Sequence, residues 1–159
     1  MAKEHVSEKL RELRALNAEA IMCENISTIK YQKNTTFKVV LNVLDDLKGG
    51  WTNRFTSDYQ SKFKLSGFLS RNFIVPVFWS SEHYSKELIQ ERTLEYCYRS
   101  IYWLEHNKPI TLRDHLLQEK FVCDRVNGSL NKLNVAHLMN LYLEHKDSID
   151  PVLISCFFW

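Results

Sequence analysis

The chain has 159 residues, 45% apolar and 25% charged, with only four glycines and three prolines. That length supports one domain with its own core, and the low glycine and proline content argues against a turn-rich β-barrel or a disordered linker. The formal net charge of +2 excludes the global basicity of a general nucleic-acid binder, yet residues 28–71 carry eight basic and three acidic side chains, which leaves room for a local anion-binding face.

The N-terminal run MAKEHVSEKLREL is charged from Lys3 and has no apolar stretch, so it reads as neither a signal peptide nor a membrane anchor. No 18 consecutive apolar residues follow anywhere, and the expectation is a soluble, cytoplasmic protein without a membrane segment. Residues 3–22 are an amphipathic helix candidate, with Val6, Leu10, Leu13, Ala20 and Ile21 on or near one face. Met22 to Asn34 is ambiguous between more helix and a short extended piece.

A second helix is read from Thr35 or Thr36 as cap, through Phe37, Val40, Leu41 and Leu44 at helical spacing, to Gly49 as a left-handed stop. From Gly49 to Ser80 the helical period is lost. The segment Phe73–Trp79 alternates in part, and Pro76, which has no N–H to give, makes it an edge strand or an extended apolar piece. A connection of that length is uncommon unless it has structure or a job of its own.

Ser80–Asn107 reads as one long helix and the organising element of the chain. Its second half carries Tyr96, Cys97, Tyr98, Ile101, Tyr102, Trp103 and Leu104, too much apolar surface for one covered face. Thr111 and Asp114 resemble a capping box that opens a helix through about Arg125, with Leu112, Leu116, Leu117, Phe121 and Val122 on its buried side. Asn127-Gly128 stops it and Ser129 starts another, through about Lys146. Asp150-Pro151 places a cap before proline at the first helical position. The chain then closes on Phe157, Phe158 and Trp159, which are either tucked into the core or part of a longer chain.

The fold class that follows is mainly α: a compact single helical domain over 1–159, of five or six helices, with a long central excursion over about 49–80 containing one or two short β-strands. The four cysteines, Cys23, Cys97, Cys123 and Cys156, form no C-x-x-C pair and read as reduced core thiols.

Candidate chemistry is sparse. Trp51, Asn53, Arg54, Asp58 and Lys62 follow a glycine pair and form a candidate ligand loop, with the two cations set to meet an anion and Trp51 to stack. The competing reading is a helix stop followed by a solvated connection, because neither familiar phosphate-binding glycine pattern is present. Glu91, Glu95, His115 and His137 are the candidates for a metal-assisted hydrolase site between facing helices, although H-E-x-x-H and zinc-type cysteine spacing are both absent. The bland alternative puts the glutamates in ion pairs with Arg92 or Arg99, and His115 with Glu119 on the surface. The basic, aromatic stretch over 30–71 allows weak binding of single-stranded nucleic acid or another anion, a partner class that no motif supports. No cofactor is implied, and no G-x-S-x-G elbow indicates a nucleophile.

The leading expectation is a non-catalytic helical domain that binds a protein partner or self-associates. It is motivated by the aromatic surplus at 73–79, 96–103 and 157–159.

Overall fold

A single residue in the left-handed region divides the N-terminal helical stretch. Asn17 sits at φ 58°, a conformation that asparagine tolerates far better than branched residues. The chain therefore folds as α1 (Ala2–Ala15) and α2 (Ala18–Ser27) meeting at an elbow, instead of the one helix expected over 3–22. The computed structural model describes residues 2–31, 36–47, 53–126 and 135–156.

The helix expected after Thr35 is not formed. Residues 38–44 are extended, as β1 (Lys38–Val39) and β2 (Asn42–Leu44). Val39, Val40 and Val43 prefer the pleated conformation, and Val39, Leu41 and Val43 alternate at the period of a strand. Tertiary pairing resolves the ambiguity of this short apolar run. The expected glycine stop at Gly49 lies outside the described residues.

The connection that follows is largely helical: α3 (Arg54–Phe63) and α4 (Ser66–Leu69) lead to β3 (Phe73–Ile74) and β4 (Val77–Trp79). β1 pairs with β3 and β2 with β4, both parallel. Because Lys38 faces Phe73 and Leu44 faces Trp79 in one constant register, the two pairs are a single ladder with a gap. Val40 N donates to Ile74 O and Asn42 N to Pro76 O, but Pro76 has no N–H to return to Val40 O, and there the ladder lapses. Parallel strands need a crossover of a dozen residues or more, which is the job of the central excursion.

β4 is buried on both faces. Val43 and Phe78 pack with Leu13, Ala18 and Met22 of the elbow and with Tyr84 and Ile89. Val77, Trp79 and Ile74 pack on the other side with Tyr96 and Cys97 of α5 (Lys86–Glu105). Each fully buried aromatic here contributes on the order of 2–3 kcal/mol in transfer free energy. The long helix begins six residues later than expected because Ser85 accepts a hydrogen bond from Leu88 N and caps it.

Beyond α5, Thr111 and Asp114 form the reciprocal capping box: Thr111 N donates to Asp114 Oδ2 at 2.9 Å and Asp114 N to Thr111 Oγ1 at 3.3 Å. They open α6 (Leu112–Val126), followed by α7 (Val135–His145) and α8 (Pro151–Cys156). Asp150 Oδ1 accepts from Val152 N and caps the last helix ahead of Pro151, as its sequence indicates. Tyr59 and Phe63 of α3, Leu112 of α6 and Ile154 of α8 make a third apolar cluster. The chain is mainly α with a small parallel strand pair, and no helix among the described residues is long and apolar enough to cross a membrane.

Candidate functional site

Parallel strands bring their carboxyl ends side by side, so Asp45 and Asp46 after β2 meet Ser80, Ser81 and Glu82 after β4. Ser80 Oγ donates to Asp45 Oδ1 at 2.6 Å, and Ser81 donates to Asp46 through both its N–H and its hydroxyl. Burial works against the charge of Asp46, but the bonds from Ser81 and Ser80 and the Arg54 guanidinium outweigh it and hold the carboxyl below its usual range. Arg54 opens α3, lies over the Trp79 ring at 5.3 Å, and donates to Asp46 Oδ2 and Ser81 Oγ, each at 2.9 Å. Glu82 receives Arg92 at 2.8 Å, and Arg92 also donates to Val77 O. The two guanidiniums and three carboxylates thus clasp both strand ends to α3 and α5.

The described residues of the candidate ligand loop, Asn53, Arg54, Asp58 and Lys62, each have partners of their own. Trp51 lies outside the described residues. Asn53 caps α3 by accepting from Thr56 N at 3.2 Å. Arg54, Asp58 and Lys62 follow one another at four-residue steps along α3, yet Arg54 turns to the strand-end acids while Lys62 pairs with the buried Asp58 at 2.5 Å. The sequence carried the signal of this helix in Asn53 as cap and in Phe55, Tyr59 and Phe63 at i, i+4, i+8.

Of the four metal candidates, the described side chains have separate surroundings. Glu91 is exposed, and Glu95 lies 3.3 Å from Arg99. The side chain of His137, on α7, is not among the described ones. His115 is buried between α3 and α6, not on the surface with Glu119, its ring 4.7 Å from that of Phe63 and edge-on to Tyr59. Burial pushes its pKa down to about 4 against the opposing charges of Glu119 and Asp114, so the imidazole is neutral near pH 7. Glu119 itself is engaged by Arg99 in a two-pronged pair. Among the described residues, no three His, Cys, Asp or Glu side chains are grouped to hold a metal ion.

A broad concavity lies elsewhere. Between the α1–α2 elbow and the strand β1–β2 runs a groove of about 920 Å³, walled by Leu10, Leu13, Met22, Ile26, Phe37 and Leu41. Arg14 and Glu19 stand at its rim and the exposed Cys23 faces it. The ladder uses the backbone groups of Lys38, Val40 and Asn42, so those of Val39, Leu41 and Val43 point the other way. Among the described residues nothing accepts from or donates to them, which leaves this edge free. Val40, on the same strand, is 44% exposed.

The aromatic surplus is partly internal: Phe78, Trp79, Tyr96 and Tyr102 are buried, Phe73, Tyr98 and Trp103 are half-buried, and 157–159 lie outside the described residues. Phe37, Val40 and Leu41 also satisfy a helical period, which masks the groove in the sequence; the alternation of Val39, Leu41 and Val43 is its strand signal. No protein-family model, curated protein or solved structure matches this chain.

Proposed function

We propose that this chain is a non-catalytic helical domain that binds a partner protein by taking an extended segment of that partner onto the free edge of β1–β2. The observation that carries the reading is that free edge, which borders a groove of about 920 Å³ lined largely by apolar side chains. Strand addition draws affinity from backbone hydrogen bonds and selectivity from the pockets beside them. Here Val39, Leu41 and Val43 supply the backbone groups, and Leu13, Met22 and Ile26 supply the apolar wall. The free thiols Cys23, Cys97 and Cys123 fit a reducing, cytoplasmic setting.

The metal-assisted and nucleic-acid readings draw no comparable support. Glu95 is tied to Arg99, while Arg54 and Lys62 are engaged by acids.

A displayed library of random peptides, selected on the full chain, tests the proposal. The expected binders alternate apolar residues, protect the Leu41 amide from hydrogen exchange, and shift the resonances of Leu13 and Met22. Leu41→Pro removes the outward N–H without touching a ladder bond, and it abolishes their binding. Blocking Cys23 with a bulky maleimide weakens binding as well. Binders that leave the Leu41 amide unprotected overturn the reading. If the edge instead pairs with a second copy, light scattering rises with protein concentration and the Leu41 amide becomes protected without any peptide.

A further inference from the structure

A second, smaller cavity lies behind the strand, between the end of α2, β1, β3 and α5. Its volume is about 200 Å³, and its walls include Ile29, Tyr31, Ile74, Cys97, Ile101 and Leu104. On α5 the wall is a stripe of Cys97, Ile101 and Leu104, spaced so that one helix face lines the cavity. Apolar cavities of about 150 Å³ are large enough to bind a molecule the size of benzene.

Two of the polar groups around it are already settled. The Ser100 hydroxyl donates to Tyr96 O at 2.8 Å. Burial pushes the Cys97 thiol up to about 12, so it stays protonated and is no nucleophile. The third is not settled: the Tyr31 hydroxyl is buried and, among the described residues, has no hydrogen-bond partner. A buried donor without an acceptor is rare in folded proteins and is usually explained by something that belongs in the site. Burial, and after it the charge of Glu105, keep the phenol protonated and therefore able to donate.

We propose that this cavity binds a small neutral molecule with an apolar, ring-sized body and one carbonyl-type acceptor, which receives the Tyr31 hydroxyl. Ile29, Ile74 and Ile101 enclose the body, and Tyr31 fixes its polar end. The nearby carboxylate of Glu105 selects against an anionic group at that end. This site is separate from the strand edge, although Ile26, Phe37 and Val39 border both cavities.

The test is a titration of the full chain with acetophenone, toluene and benzoate, followed by the isoleucine methyl resonances. Acetophenone shifts Ile29, Ile74 and Ile101 and binds about fivefold tighter than toluene, the ratio expected for one net hydrogen bond. Benzoate binds more weakly than acetophenone. Tyr31→Phe, which removes only an unpartnered hydroxyl and leaves the ring in place, brings acetophenone down to the level of toluene and leaves toluene unchanged. Three results overturn the proposal. One is no shift of these methyls up to the solubility limit. Another is equal affinity of acetophenone for wild type and Tyr31→Phe, which assigns the hydroxyl to a water molecule. The third is benzoate binding tighter than acetophenone.

Discussion

Arg99 and Glu119 face each other across α5 and α6 in a two-pronged pair, with Nε 2.8 Å from Oε1 and Nη2 2.6 Å from Oε2. Glu95 adds a third oxygen at 3.3 Å, and Gln118 bonds Glu119 and Trp103 beside it. The guanidinium is almost wholly out of water, so its stability depends on keeping these acceptors. Glu119→Gln leaves the cation with Glu95 as its only carboxylate and is expected to cost about 3 kcal/mol in urea unfolding. The double change Arg99→Met with Glu119→Leu costs less than the single one, because it removes the buried charge together with its partner.

His115 gives the protein a specific acid response. In the unfolded chain its imidazole protonates near 6.5, whereas burial holds it to about 4 in the fold. Between those values the unfolded state binds more protons, so stability is complete above pH 6.5 and declines as the pH falls toward 4. The depressed carboxyls of Glu119, Asp46 and Asp114 add their own loss at lower pH, below the ordinary carboxylate range. Replacing His115 with Phe, which suits the edges of Tyr59 and Phe63, flattens only the upper part of the curve. Denaturant midpoints measured from pH 7.5 to 3.5 separate the two contributions.

The elbow at Asn17 separates two substitutions, one tolerated and one costly. Asn17→Gly accepts φ 58° and leaves stability within about 0.5 kcal/mol. Asn17→Val places a branched side chain in the left-handed region and costs about 1–2 kcal/mol. Because Asn17 also borders the groove, the valine variant binds the selected peptides more weakly, whereas the glycine variant retains them. Thermal unfolding together with peptide titration reads both effects.

Ser85 fixes where the long helix starts. Its hydroxyl accepts from Leu88 N at 3.1 Å, and Ser85→Ala costs about 1 kcal/mol. Ser85→Asp restores the cap, and its charge favours the helix N-terminus. Far-UV circular dichroism during unfolding checks the order Asp, Ser, Ala in midpoint.

Two of the helix caps were determined by the sequence alone. Thr111 with Asp114, and Asp150 before Pro151, act within one helical turn, and no distant residue is needed to make their bonds. The mainly helical class follows for the same reason, since helical hydrogen bonds are local. The run from Thr35 to Leu44 was different: its apolar residues satisfy both periods, and only the presence of β3 and β4, reached through a crossover, made the strand win. That pairing also created everything of functional interest. It left one edge of β1–β2 free beside the elbow, and it set the Asp46, Ser81 and Arg54 clasp at the strand ends. It also helped shape the cavity in which the Tyr31 hydroxyl has no partner among the described residues. Contacts of this kind join residues some 35 positions apart, and their geometry depends on where whole elements come to rest.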